Sequence, residues 1–170
     1  MGELAYFPLF VPKPPLAVTV TSWNQLNSLN TKVSQITIPS KRLNDASLTV
    51  LDLSRFRRLK RLVIGDECFR YVKEIRLTGL YYLESVEIGM NSFTKNKNSD
   101  GYDSTRHFCL KDCPKLKSMK VGRYSFSDYT VIEIENVDAL EVIEMGELND
   151  GSWSFYWSSL ELKSILIHSE

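Results

Sequence analysis

Residues 83–93 read LESVEIGMNSF, and three similar strings recur in the chain. The others are LKRLVIGDECF at residues 59–69, LKSMKVGRYSF at 116–126 and LEVIEMGELND at 140–150. Each string carries a glycine after an apolar residue: Gly65, Gly89, Gly122 and Gly146. These glycines lie 24, 33 and 24 residues apart. Recurrence at a nearly fixed spacing predicts a repeat architecture.

The repeat extends beyond the glycines, because six columns of equivalent residues are apolar in all four units. One column consists of Leu59, Leu83, Leu116 and Leu140. Two others consist of Leu62, Val86, Met119 and Ile143 and of Leu51, Ile75, Phe108 and Ile132. Within each unit the apolar residues alternate with other residues, which is the period of a β-strand. A unit of about two dozen residues cannot bury its own apolar side, whereas stacked units give each strand a parallel neighbour. The pattern therefore predicts a mainly β fold, a parallel solenoid with two short strands in each coil of about 24 residues.

Fainter units precede and follow the four strings. The matches are Ile36 and Ile38 with Leu62 and Ile64, Val18 and Val20 with Leu51 and Leu53, and Leu160, Leu162 and Ile165 with Ile132, Ile134 and Val137. We therefore expect a single solenoid domain over residues 16–170, after a proline-rich lead-in over residues 1–15. A ligand segment for another domain is the alternative role for these prolines. The extra residues between Gly89 and Gly122 fall in residues 94–105, TKNKNSDGYDST, and predict a polar surface insertion.

The string LESVEIGMNSF resembles the L-x-x-L-x-L-x-x-N-x-L segment of leucine-rich-repeat proteins, with Asn91 at the asparagine position. IGDECF, IGMNSF and VGRYSF also resemble the I-G-x-x-A-F segment of the irregular, BspA-type class found in bacterial and protist surface antigens. VSQITIP, at residues 33–39, resembles the L-x-x-I-x-I-P segment of that class. The resemblance implies a right-handed solenoid that serves as a binding module or adhesin-like surface, and it brings no catalytic residue with it.

Two departures from that consensus matter. The asparagine is replaced in the other three strings, by Glu67, Tyr124 and Leu148, so a regular asparagine ladder is not expected. The last string has Asp150 where the others have phenylalanine.

Polar residues between the apolar columns alternate in sign from one unit to the next. One such row consists of Lys60, Glu84, Lys117 and Glu141, and another contains Glu87, Lys120 and Glu144. Asp52, Arg76, Cys109 and Glu133 form a partial row on the other strand. Because parallel strands lie about 4.8 Å apart, opposite charges should become neighbours. We therefore interpret the basic run RFRRLKR, at residues 55–61, as a solvated edge, and a phosphate-binding patch is the alternative.

The amino-acid composition indicates which classes of molecule the protein could bind. The chain has 170 residues, of which 43% are hydrophobic and 25% charged, with 21 basic and 21 acidic side chains. Such a balance is typical of a folded protein and disfavours a nucleic acid as partner. No apolar run has the roughly 20 residues of a membrane span, and the N-terminus lacks a signal-peptide pattern. We expect no membrane insertion, and a cytoplasmic location is favoured.

The sequence offers little for catalysis or for metal binding. Three cysteines fit neither a disulfide framework nor a zinc site, although His107 and Cys109 would share one face of a strand as a weak soft-metal site. No nucleophile–base–acid motif is present, and we expect no enzyme activity, no cofactor and no metal. The alternative is a carbohydrate-binding or carbohydrate-active parallel β-helix protein. Its candidate acids would be Glu87, Glu133, Glu135 and Glu144.

The best candidate for a binding site is the aromatic stretch ELNDGSWSFYWSS at residues 147–159. Large rings among small polar residues are typical of contact surfaces, and equally of a cap on the last coil of a solenoid. The candidate partner-binding residues are Trp153, Phe155, Tyr156 and Trp157, together with Tyr102 in the insertion. The expected function is protein binding, with a glycan as the alternative ligand and self-association possible through the solenoid ends.

Overall fold

The computed structural model describes residues 16–146 and 151–163, and in these ranges the protein is mainly β. Six strands form one sheet: β1 (Ala17–Thr19), β2 (Gln35–Ile38), β4 (Arg61–Ile64), β6 (Ser85–Ile88), β8 (Ser118–Val121) and β10 (Val142–Met145). Five strands form the other: β3 (Val50–Asp52), β5 (Glu74–Thr78), β7 (His107–Lys111), β9 (Val131–Glu135) and β11 (Ser159–Lys163). One helix, α1 (Trp23–Ser28), lies between β1 and β2. The strand pairs of both sheets are parallel.

The apolar alternation forms these strands because each strand buries one face. In β6, Val86 and Ile88 are buried, whereas Ser85 and Glu87 are partly exposed. The inward rows of both sheets join in one core cluster that also contains Leu83. A side-chain period of two sets the register, since a slip by one residue would turn every apolar side chain outward.

The strand register confirms the predicted columns. In the six-stranded sheet, the residues opposite one another are Leu62, Val86, Met119 and Ile143. In the five-stranded sheet they are Leu51, Ile75, Phe108, Ile132 and Leu160. Backbone hydrogen bonds continue the alignment before the strands: the N–H of Glu84 donates to the carbonyl of Lys60 at 2.8 Å, and that of Lys117 donates to Glu84 at 2.9 Å.

Two of the recurring glycines, Gly89 and Gly122, stand where there is no space for a side chain. A Cβ on Gly89 would lie 2.6 Å from the carbonyl carbon of Gly65, and one on Gly122 would lie 2.5 Å from that of Gly89. The backbone of the preceding unit therefore passes where a side chain would stand. Neither glycine has a positive φ, so close approach rather than backbone freedom explains them.

The expected match of the first strand is wrong. The sequence aligned Val18 and Val20 with Leu51 and Leu53, but β1 lies in the other sheet, with Val18 opposite Ile36. The following residues form α1 because the Ser22 hydroxyl caps it by accepting the Gln25 N–H at 3.3 Å. Leu26 of this helix is buried against the core. The expectations for residues 1–15 and for Ile165 lie outside the described residues.

Ion pairs occur along the predicted charge rows. Lys60 Nζ lies 3.6 Å from Glu84 Oε1, Lys120 Nζ lies 2.9 Å from Glu144 Oε2, and Arg76 lies 3.8 Å from Asp52. The side chains of these pairs are largely exposed, so each pair stabilises the fold only weakly. Their main effect is that a strand paired one unit out of order would place like charges side by side.

Replacing Lys117 by glutamate should destabilise the protein more at low than at high ionic strength. The change places an acid between Glu84 and Glu141, whose backbones are bonded to residue 117. Screening at about 1 M salt shortens the range of this repulsion to about 3 Å. Urea unfolding at about 10 mM and about 1 M salt measures the difference, with Lys32→Glu outside the row as control. Equal losses for Lys117→Glu at both salt concentrations would contradict the charge row.

Candidate aromatic binding site

The described part of the aromatic stretch, residues 151–159, contains a turn that repeats the geometry of earlier turns. Trp153 and Phe155 have φ values of 54° and 56°, close to the 61° and 59° of Tyr124 and Phe126. The N–H of Tyr124 donates to the carbonyl of Ser152 at 2.8 Å, so the two turns are stacked. Trp153 thereby stands at the surface, and Phe155 points to the core.

Hydroxyl groups tie each of these turns to the preceding one. Ser92 donates to the carbonyl of Gly65 at 2.8 Å, and Ser154 donates to the carbonyl of Gly122 at 3.0 Å. Serine therefore satisfies a backbone acceptor at the place where the consensus has alanine.

Phe155 covers the end of the core. Its ring stacks on Phe126 with centroids 4.7 Å apart and meets Phe108 edge-on at 5.6 Å. The stack continues through Phe93 to Phe69, at centroid distances of 4.7 and 4.9 Å. In the string 140–150 the position of the recurring phenylalanine falls on Asp150, which lies outside the described residues. In the structure Phe155 takes the place of that phenylalanine in the stack. Phe155 therefore packs on the end of the core, and in the described residues its ring contacts are with Phe108 and Phe126 rather than with the other candidate residues.

The other four candidates meet at the surface, and we call them the aromatic patch: Tyr102, Trp153, Tyr156 and Trp157. Their exposed fractions are 71%, 38%, 54% and 49%. The Trp153 and Tyr156 ring centroids are 4.8 Å apart, and the Tyr156 and Trp157 centroids are 5.1 Å apart. Tyr102 meets Trp157 edge-on at 6.5 Å. Two stretches that the sequence presented as separate candidates thus form one surface.

Hydrogen bonds hold the insertion against the stacked turns. The indole Nε1–H of Trp157 donates to Asp100 Oδ2 at 3.2 Å. Asn98 exchanges two hydrogen bonds with Asn91, at 2.8 and 2.9 Å. Lys97 Nζ lies 2.7 Å from Glu67 Oε2, whose pKa it holds below the usual value. The insertion is therefore a packed part of the candidate site.

A buried arginine anchors the base of the insertion. Arg106 is fully buried, and its guanidinium donates to three backbone carbonyls, those of Arg70, Val72 and Phe93, at 3.0 to 3.2 Å. Its charge is balanced by Asp103 and Asp128, both at 3.4 Å. Sequence analysis missed this group. The only signal in the described sequence is an arginine at the end of a polar loop, two residues before the apolar Phe108.

The two carboxylates differ in environment. Asp128 is 2% exposed, and burial raises its pKa, although the charge of Arg106 opposes this shift. Burial acts in the same direction on Asp103, but hydrogen bonds from Thr105 and the charge of Arg106 outweigh it, so the pKa of Asp103 is lowered. Asp128 also accepts the N–H of Lys95 at 3.1 Å, which fixes the start of the insertion.

The four acids considered for catalysis are all ion-paired on the sheet faces. The pairs are Glu87 with Arg61 at 2.6 Å, Glu133 and Glu135 with Lys111 at 3.0 and 3.5 Å, and Glu144 with Lys120 at 2.9 Å. The hydrogen bond from Lys111 lowers the pKa of Glu133, and His107, 3.3 Å away, adds to this effect. A general acid needs a raised pKa, so Glu133 is poorly suited to protonate a substrate.

The cysteines have the properties of structural thiols. Cys109 shares the outward face of β7 with His107, as expected, and partial burial raises its pKa. Burial raises the pKa of Cys113 to about 11. Cys68 is also a buried free thiol. Within residues 16–146 and 151–163, no group of three histidine, cysteine or acidic side chains converges to hold a metal ion.

Several basic side chains of the run at residues 55–61 form hydrogen bonds, ion pairs or a cation–π contact with neighbouring groups. Arg55 donates to the carbonyls of Leu26 and Asn27, at the C-terminal end of α1. Arg61 and Lys60 pair with acids of the next unit, and the guanidinium of Arg57 lies 5.7 Å from the ring centre of Tyr81. These contacts favour the interpretation as a solvated edge.

In the described part of the chain, no helix has the length and apolar character needed to cross a membrane. Comparison with protein-family models, with curated proteins and with solved structures finds no significant match for this chain.

Proposed function

We propose that this chain is a right-handed, leucine-rich-repeat-type solenoid and a non-enzymatic module that binds another protein through its aromatic patch. Strand order supports the solenoid. From β2 to β11 the chain alternates between the two sheets and adds one strand at a time to each, in constant register. Crossovers between parallel strands are right-handed in nearly all proteins.

The observation that carries the binding proposal is the group of four exposed rings on an ordered support. Tryptophan and tyrosine dominate the energetic centres of protein interfaces, because they bury a large apolar area while their N–H and O–H groups find partners. The insertion and the last turn are held by Asp100 and by the Arg106 cluster. A preorganised surface loses less conformational entropy when it binds.

Ring geometry favours a protein over a glycan. The Tyr156 and Trp157 planes are at 89° and the Tyr102 and Trp157 planes at 87°, so edges and faces alternate across the patch. A sugar ring stacks on the open face of an aromatic ring, and the edge-to-face packing of these three rings provides no row of parallel faces. Perpendicular rings instead form an uneven surface that suits the side chains of a protein partner.

The double change Tyr156→Ala/Trp157→Ala should abolish partner binding and leave the core intact, because it removes the Trp157–Asp100 hydrogen bond but not the Arg106 cluster that anchors the insertion. Loss of even one central anchor costs at least about 2 kcal/mol, or roughly 30-fold in affinity. A matched control is Tyr81→Ala/Tyr82→Ala, since both tyrosines are 48% exposed and lie outside the patch. Quantitative mass spectrometry of proteins captured from extract measures binding, and thermal unfolding checks the fold.

Two outcomes would contradict the proposal. Equal capture of the same partner by the patch variant and the control would place the interface on another face. Binding on a glycan array that disappears only in the patch variant would assign the patch to the carbohydrate-binding alternative.

A further inference from the structure

Beside the aromatic patch lies the carboxylate of Asp100, one oxygen of which, within the described residues, is free to accept a further hydrogen bond. One oxygen of Asp100, Oδ2, accepts the Trp157 indole N–H at 3.2 Å. Among residues 16–146 and 151–163, no donor reaches its other oxygen and no basic group lies within ion-pair distance of it. The nearby Lys97 is engaged by Glu67 at 2.7 Å. Asp100 therefore presents a negative charge beside the exposed rings.

The rings of the patch also lack a cation. Five tyrosines outside the patch each have a guanidinium or ammonium group over the ring: Tyr71, Tyr81, Tyr82, Tyr124 and Tyr129. In the described part of the chain, no basic group lies over the rings of Tyr102, Trp153, Tyr156 or Trp157. The negative faces of indole and phenol rings attract cations, and tryptophan does so most strongly. Both the ring faces and the Asp100 carboxylate would therefore be stabilised by a positively charged group.

We propose that the patch takes an arginine side chain of the protein partner, with the guanidinium paired to Asp100 and stacked on a patch ring. This inference rests on the proposed protein-binding function. Arginine is favoured over lysine because its planar group stacks on aromatic rings, donates in the plane to a carboxylate and is more weakly hydrated. The interface should therefore be selective for a basic segment.

Titration of indole NMR signals tests this directly. The probe is the acetylated, amidated peptide Gly-Arg-Gly, with the neutral citrulline peptide of the same shape as its control. The Trp157 N–H signal, assigned with Trp157→Phe, should shift saturably with the arginine peptide. The citrulline peptide should bind about tenfold more weakly. Trp23, on α1, should stay unmoved and serves as an internal control.

Asp100→Asn separates charge from structure, because an asparagine oxygen still accepts the Trp157 hydrogen bond. This variant should bind the arginine peptide about fivefold to tenfold more weakly, whereas Glu141→Gln, at an exposed acid outside the patch, should bind normally. No saturable shift, equal affinity for citrulline, or an unaffected Asp100→Asn variant would each overturn the proposal. If Asp100→Asn retains a partner that Tyr156→Ala/Trp157→Ala loses, arginine recognition fails while protein binding stands.

Discussion

Replacing Arg106 by methionine is expected to lower the free energy of unfolding by about 3–5 kcal/mol. The guanidinium is fully buried and serves three carbonyls as well as Asp103 and Asp128. Methionine fills a similar volume, so the loss reflects the charges and carbonyls left without a partner. Chemical denaturation measures it, with Arg58→Met at an exposed position as control.

The pH dependence of the Arg106→Met loss identifies its origin. Burial raises the pKa of Asp128, and Arg106 counters that shift. Without Arg106 the folded-state pKa should rise further above the unfolded value. The folded protein then gains a proton as the pH falls through this raised pKa, which relieves the penalty of the buried charge. The loss should accordingly be full at neutral pH and smaller in acid.

A second variant checks the same cause. Arg106→Met/Asp128→Asn removes the buried charge and should recover part of the stability at neutral pH. If the single and double variants are equally destabilised and neither depends on pH, packing rather than charge explains the loss. Hydrogen exchange should also show faster opening of residues 94–105 in Arg106→Met, because the base of the insertion is no longer tied to the core.

Phe126→Ala is expected to cost about 3–5 kcal/mol. The Phe126 ring lies between Phe93 and Phe155, with centroids 4.7 Å away on both sides, and meets Phe108 and Tyr129 edge-on at 5.3 and 4.9 Å. The change removes the middle of the stack, and the fixed neighbouring backbones limit its collapse. Thermal and chemical unfolding give the value.

The same change should loosen the binding surface, since Phe155 loses the ring on which it stacks and Trp153 precedes it by two residues. Tyr82→Ala, at a half-exposed ring, should cost far less and is the control. A loss below about 1 kcal/mol for Phe126→Ala would show that the phenylalanine stack is not a continuous part of the core.

The fold was predictable where the alternation of apolar residues within a strand and the spacing between equivalent residues of successive units indicated the same strand pairing. Alternation of apolar residues identified the strands, and the spacing of equivalent residues predicted the pairs between Leu62, Val86 and Met119. A period of two leaves one register in which all apolar side chains turn inward. Where the period weakens, the prediction is wrong: the sequence pattern aligns Val18 with a strand of the other sheet, and it assigns Asp150 to the position that Phe155 occupies.

By itself the sequence determined the strand-forming segments, their register and the alternation of charge, because each follows from the order of side chains along one strand and its next neighbour. Only the tertiary structure decided that Tyr102 meets Trp157 and that Asp100 accepts its indole hydrogen. The same holds for Arg106, whose buried charge is compatible with the core only because Asp103 and Asp128 are brought to it. These contacts join loops that have no period, so their partners are selected by distance in space and by the need to satisfy buried polar groups.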